Sequence, residues 1–278
     1  MPELPEVETI ARGLDKRVTG DRINSVWLGS KPEPLKSPAA EIVRTLEGKR
    51  VAGVRRVGKH IVFDLDGKPA AAKKKAKAAP NKAQWIVHLG MTGRVVVCDA
   101  GEEVPKHTHA VLQLASGREL RFVDPRRFGR LSVTQGFEAP GTEPLQVELE
   151  KFVQLFKGRK TPIKSALLNQ KLLSGVGNIY ADESLFRAGI RPRRRAASLT
   201  HEELRRLYLA VQEVLKEAIA LGGSSISDYV NANGEEGFFQ LQHRVYGRES
   251  EPCLVCKTPI KRIVLAGRSS HYCAKCQK

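Results

Sequence analysis

Near its C-terminal end the chain reads Cys253-x2-Cys256-x16-Cys273-x2-Cys276, and no other feature constrains the local fold as tightly. Each Cys-x-x-Cys pair offers two thiolates from one tight turn, and two such turns supply the four sulfurs of a tetrahedral Zn²⁺ shell. Four protein ligands leave the ion no open position, so one structural zinc is expected to hold a small β-ribbon together. Free or disulfide-paired cysteines are the competing reading. No apolar run approaches the roughly 18 residues of a membrane span, and the N-terminus has acids where a signal peptide carries a basic and then an apolar segment. A cytoplasmic protein is therefore expected, and disulfides are rare in that compartment. Cys98, alone in GRVVVCDA, reads as a core residue. Arg262, Arg268 and His271 lie between the two knuckles, so the ribbon is expected to project cations.

The 278 residues are enough for two domains, or one with an appendage, with real cores. Lys and Arg total 47 against 30 acids, a net charge of +17 that points to a polyanionic partner, most often nucleic acid. A merely soluble basic protein is the alternative. Six lysines fall in GKPAAAKKKAKAAPNKAQ (67–84), yet without them the net charge would still be +11, so the basicity is global. That tract has too little apolar surface to order itself and reads as a flexible insertion in a hairpin.

Val7, Ile10, Ala11, Leu14 and Val18 recur at helical spacing, which predicts an amphipathic helix over residues 3–18. Short β-rich runs follow to about residue 134: INSVWLG, HIVFDL, QWIVHLG, GRVVVC, HAVLQLA, ELRFVD and GRLSV. Their spacing predicts antiparallel sheets packed as a sandwich. After APGTEPL (139–145) the pattern turns helical in PIKSALLNQKLL, NIYADESLFRAG and LTHEELRRLYLAVQEVLKEAIAL, the last capped by Ser198 or Thr200. The fold class is thus α+β. The expected domains are 1–138, a linker 139–145, a helical region 146–240 and the ribbon 241–278.

Two stretches suggest chemistry. MPELPEVETI places Pro2 behind an initiator methionine that is usually removed before a small residue, which would expose a secondary amine. SGVGNIYADE (174–183) lies between two helices, where glycines allow close backbone approach and the amides of the next helix, with Asn178 beside them, could cradle a phosphate. Were the surroundings not basic, a plain helix–helix turn would be the better reading of the second.

MPELPEVET, HLGMTGR (88–94), DPRRFG (124–129), LLSGVGNIYADESLFRAGI (172–190), FFQLQHRVYGR (238–248) and the terminal AGRSSHYCAKCQ together resemble the formamidopyrimidine-DNA glycosylase family, in its order and over essentially the whole chain. MPELPE is closer to this family than to its sister, endonuclease VIII. The resemblance implies a helix-two-turns-helix architecture for the helical domain and a base-excision repair enzyme. Such an enzyme is a DNA glycosylase and AP lyase that removes oxidised purines, 8-oxoguanine and formamidopyrimidines, from duplex DNA and then cuts the strand by β,δ-elimination.

Residue chemistry supplies a mechanism. An α-amino group has a pKa of about 7.7–8.0 against about 10.4 for lysine, so far more of it is neutral at pH 7. Pro2 is then a ready nucleophile toward the sugar C1′, leaving an iminium that acidifies the C2′ proton. Glu3 is the proton donor in place beside it. Glu6 supports the site or serves as a helix-start acid. By the resemblance, Lys59 serves β-elimination, and Arg268 serves δ-elimination and grips phosphate; from sequence alone they are an ordinary strand-end lysine and a ribbon arginine.

The resemblance also assigns phosphate contacts to His107, Lys160, Asn178, Tyr246 and Arg268, with Lys164 and Lys171 as lesser candidates. A base must be everted to reach such a site, and something must fill the vacancy. Met91, Arg126 and Phe128 match the family's void-filling positions, core packing being the other reading of Met91 and Phe128. GGSSISDYVNANGEEGFF (222–239) resembles a lid over the everted base, with Ser227 where some members carry a basic residue. The expected partner is duplex DNA with oxidised bases or abasic sites, bound by a monomer with no membrane association. An endonuclease VIII-like enzyme for oxidised pyrimidines and a non-catalytic damaged-DNA binder are the alternatives; Pro2 with Glu3 argues against the binder.

Overall fold

The computed structural model describes residues 1–67, 82–225 and 237–278. Most of the Lys/Ala tract, and the centre of the lid-like loop with Ser227, lie outside the described residues. The chain divides into two compact units, one built chiefly on Glu6–Glu138, the other on Glu3–Pro5, Ala139–Ser224 and Phe238–Lys278.

Helix α1 (Leu4–Val18) forms where the periodicity predicts it, with Val7, Ile10, Ala11, Leu14 and Val18 all buried. Pro5 falls in its first turn, where a missing N–H breaks no helical hydrogen bond. In the first unit two antiparallel sheets follow. One has the order β1 (Ile23–Leu28), β6 (Thr108–Leu114), β7 (Arg118–Val123), β5 (Arg94–Asp99). The other runs β2 (Arg50–Val57), β3 (His60–Asp66), β4 (Ala83–His88), β8 (Arg130–Thr134). Phe63 and Trp85 of one sheet share a buried core with Leu112 and Phe122 of the other and with the apolar face of α1. These are the inner faces of a sandwich, as alternation predicts.

Two elements of this unit escape the sequence reading. Strand β2 carries a register shift between Val51 and Gly53, which breaks the period-two pattern that marks a strand. Helix α2 (Ala39–Leu46) is short and covers the core with Ile42 and Leu46.

The second unit packs α3 (Leu149–Phe156), α4 (Ile163–Leu167), α5 (Asn178–Ala188) and α6 (His201–Ala220) around one core, with a hairpin of β9 (Lys261–Leu265) and β10 (Arg268–Tyr272). Thr200 caps α6 through a capping box with Glu203. The run 162–173, expected as one helix, stops at Leu167. There the Gln170 side chain takes over, donating to the Leu168 and Val176 carbonyls and accepting the Gly175 amide at 2.9 Å. Gln170 thereby shapes the glycine turn that leads into α5.

Candidate functional site

The glycine turn holds the chain's own N-terminal segment. The Leu4 amide donates to the Gly175 carbonyl at 3.0 Å, and the Glu3 carboxylate accepts the Ile179 amide at 3.0 Å and the Tyr180 amide at 3.5 Å. The anion at the start of α5 is therefore Glu3, which corrects the expectation that these amides await a phosphate. A helix N-terminus suits a carboxylate through its unpaired N–H groups and its dipole. The glycines are a steric requirement of this arrangement. A Cβ on Gly177 would sit 2.3 Å from Glu3 Cδ, and Gly175 has φ +94° with a Cβ position 2.9 Å from Leu4. Glu3 is 4% exposed, so its position next to Pro2 is fixed by the fold.

Around α5 lies a polar network that sequence reasoning only partly anticipates. Lys164, expected among the phosphate contacts, is 1% exposed; its Nζ pairs with Asp182 Oδ1 at 2.7 Å and donates to the Ser269 carbonyl at 2.6 Å. Burial pulls its pKa down, and Asp182 opposes that pull. Asp182 Oδ2 accepts the His271 amide at 2.8 Å and faces the His271 ring. His271 thus turns inward instead of projecting a cation, whereas Arg262 and Arg268 are exposed. Lys164 and Asp182 together tie α4, α5 and the Arg268-bearing strand β10. Asn178, first residue of α5, donates to Ser269 Oγ at 3.2 Å. Burial pushes the Tyr246 phenol up, and a hydrogen bond with Asn178 pulls it back. Buried Glu183 accepts the amides of Arg244, Val245 and Tyr246 at 2.8–3.0 Å and so fixes the turn that carries Tyr246. The only sequence signal for these two acids was their adjacency inside a helix of a basic chain. Lys160 and Lys171 are both exposed.

The four cysteines converge. All four sulfurs lie within 4.8 Å of one another, with Cys253–Cys276 at 3.9 Å and Cys256–Cys273 at 3.4 Å. A tetrahedral ion with Zn–S bonds of about 2.3 Å needs sulfurs about 3.8 Å apart, so the donor set and its spacing fit one structural zinc. Cys98 stands apart, half-buried in β5 rather than fully in the core.

In the first unit, Met91 is 46% and Phe128 49% exposed, which excludes core packing for both. The Arg126 guanidinium lies 4.9 Å from the Phe128 ring centroid. One carboxylate joins their two loops: Asp124, fully buried, accepts from Thr92 Oγ1 at 2.5 Å, the Arg126 amide at 3.2 Å and the Gly129 amide at 2.7 Å. A Cβ on Gly90 would fall 2.5 Å from the Gly129 nitrogen, so the loops touch backbone to backbone. The Gly90 amide also donates to His88 Nδ1 at 3.2 Å. His107 is exposed at φ +70°, Lys59 is 8% and Glu6 2% exposed, and Pro2 is half-buried.

Three family descriptions match the chain. Residues 1–131 match the formamidopyrimidine-DNA glycosylase N-terminal domain, 140–230 the formamidopyrimidine-DNA glycosylase H2TH domain and 250–278 the zinc finger found in FPG and IleRS. A formamidopyrimidine-DNA glycosylase of Solibacter usitatus is 44% identical, with all of both chains covered. The crystal structure of the MutM (Fpg) protein of Thermus thermophilus is 42% identical, with 99% of this chain and 98% of that one covered at a TM-score of 0.84. Lactococcus lactis Fpg in complex with DNA containing an abasic site is 30% identical, with 99% of each chain covered at a TM-score of 0.87.

Proposed function

The chain belongs to the formamidopyrimidine-DNA glycosylase family, and from that membership we propose how its own residues carry out the family's chemistry. It is a base-excision repair enzyme, a DNA glycosylase and AP lyase, and its partner is duplex DNA carrying oxidised bases or abasic sites. With Met1 removed, the Pro2 nitrogen attacks the sugar C1′ as the C1′–base bond breaks, and the base departs with a proton. The adduct opens as the C1′–O4′ bond breaks and O4′ takes a proton from Glu3, which leaves an iminium that draws electrons from the adjacent carbon; loss of a C2′ proton then expels the 3′ phosphate, and a second elimination, with loss of the C4′ proton, expels the 5′ phosphate. Lys59 and Arg268 serve the two eliminations, and Glu6 supports the N-terminal segment.

The observation that carries this reading is the clamp on Glu3. A carboxylate held by two backbone amides immediately after Pro2 is a preset partner for charge that develops on the sugar. A DNA binder without catalysis has no use for it. Met91, Arg126 and Phe128 fill the space left by the everted base, a role their exposure supports. His107, Lys160, Asn178, Tyr246 and Arg268 hold phosphates. Lys164 is left out of that set because it is buried on Asp182. The zinc, when bound, supplies no chemistry; its four thiolates keep the Arg268 hairpin in shape. Action on chromosomal DNA places the enzyme in the bacterial cytoplasm, at the nucleoid.

Borohydride reduction tests the reading. It should trap a covalent protein–DNA adduct on duplexes with 8-oxoguanine opposite cytosine, more strongly than on duplexes with oxidised pyrimidines. Absence of any adduct with correctly folded, Met1-free protein overturns it.

A further inference from the structure

One cleft of the first unit takes no part in the function above beyond lending His107 to a phosphate. It encloses about 450 Å³, within the range of about 300–1,000 Å³ typical of small-ligand sites. Trp27 forms one wall, with Lys31, His107, Pro125 and Arg127 around it, and none of its lining residues is acidic.

Three observations make this a built site. The chain has two tryptophans; Trp85 is 1% exposed in the core, whereas Trp27 on β1 is 53% exposed beside the cleft. Second, His107 and Arg127 are two of the five described non-glycine residues with positive φ, at 70° and 57°. Backbone held in that region costs free energy and persists where surroundings enforce it, which is commonest at functional sites. Third, Arg127 is ion-paired with Glu33 at 2.8 Å, but Lys31 has no ion-pair partner among the described residues.

We infer that this cleft is a subsite for a nucleotide of the DNA flanking the lesion, its deoxyribose packed on Trp27 and its phosphate held by Lys31. An apolar ring next to a lone cation matches the sugar–phosphate backbone, since neighbouring pairs cover the base faces of a duplex while the sugar edge and the phosphate stay exposed. The cleft is continuous with His107, which the proposed function assigns to phosphate, and the inference rests on that reading of DNA as partner. Trp27 extends the footprint beyond the everted nucleotide and binds without regard to sequence.

The two tryptophans provide the test. With full-length, zinc-loaded protein, acrylamide quenching of tryptophan emission is measured before and after saturation with a duplex that carries an uncleavable abasic-site analogue, binding being followed separately by anisotropy. Saturation should lower the quenching constant about threefold, and Trp27→Phe, which leaves only buried Trp85, should abolish the change. Trp27→Ala should weaken binding about fivefold, through the apolar area lost at the contact. Lys31→Ala should reduce the salt dependence by about one phosphate contact, a slope change of about 0.9. Unaltered quenching in a complex that anisotropy shows to be saturated overturns the subsite and leaves the DNA reading intact. A duplex that does not bind at all overturns both.

Discussion

The Ile179 amide donates to the Glu3 carboxylate at 3.0 Å across 176 positions of sequence, and Gly177 is the residue that lets the two meet. Because φ at Gly177 is −130°, alanine is tolerable for the backbone there; the obstacle is Glu3 itself, 2.3 Å from where the methyl would stand. Gly177→Ala should therefore act as a Glu3 mutation in disguise. Single-turnover release of 8-oxoguanine is expected to fall at least about 100-fold, as for Glu3→Gln, in line with losses of positioned acid–base groups. Affinity for an abasic-analogue duplex should stay within about threefold. Wild-type turnover in Gly177→Ala would show that the clamp does not matter to the reaction.

One zinc per chain is expected from elemental analysis of the purified protein, given the four convergent sulfurs. Chelation, or Cys273→Ser at a fully buried position, should release it and unfold the hairpin that carries Arg268. Duplex affinity is then expected to drop at least about tenfold while far-UV dichroism of the helices persists. Metal-free protein that binds and cuts like the holoprotein would contradict this.

Lys164 separates a structural lysine from a phosphate contact. Lys164→Met leaves Asp182 buried without its ammonium partner, a change that costs about 3–5 kcal/mol when a buried pair is broken on one side. The urea midpoint should fall accordingly, and Lys164→Met/Asp182→Asn should recover part of the loss. The slope of log affinity against log salt should not change, because no phosphate contact has gone. A slope lower by about one contact would return Lys164 to the phosphate-binding set.

The contrast between these residues shows what the sequence can carry. The zinc ligands, α1 and most strands were legible because spacing and periodicity are local properties, and Cys-x-x-Cys or an alternating run means the same thing in most folds. Strand β2 was not, since its bulge at Val51–Gly53 erases the alternation. The glycine turn was read as a place for an anion, which is right, but no local pattern says that the anion is a carboxylate from the other end of the chain. Lys164 and His271 looked like surface cations because their burial comes from Asp182, more than fifteen positions from either. Met91 and Phe128 read as void-filling residues only through the resemblance, since apolar side chains are usually core; their exposure removes the core reading.

Acid should loosen the protein before its carboxylates titrate fully. Burial lowers the His88 pKa to about 4, with His60, Lys59 and Arg130 adding to the shift, and burial does the same to His243. In the unfolded chain both have pKa values near 6.5, so between about pH 6.5 and 4 the unfolded state binds more protons than the native one. Stability thus falls as pH falls through that window, by on the order of 2 kcal/mol per histidine after allowance for residual solvent access. Urea midpoints at pH 7.0, 5.5 and 4.5 should show the decline, and His88→Gln should make it shallower by the His88 share while the His243 share remains. His88 Nδ1 can accept the Gly90 amide only while it is unprotonated, so the same proton that destabilises the sheet also frees the turn that presents Met91. If His88→Gln follows the wild-type pH course, the decline arises elsewhere.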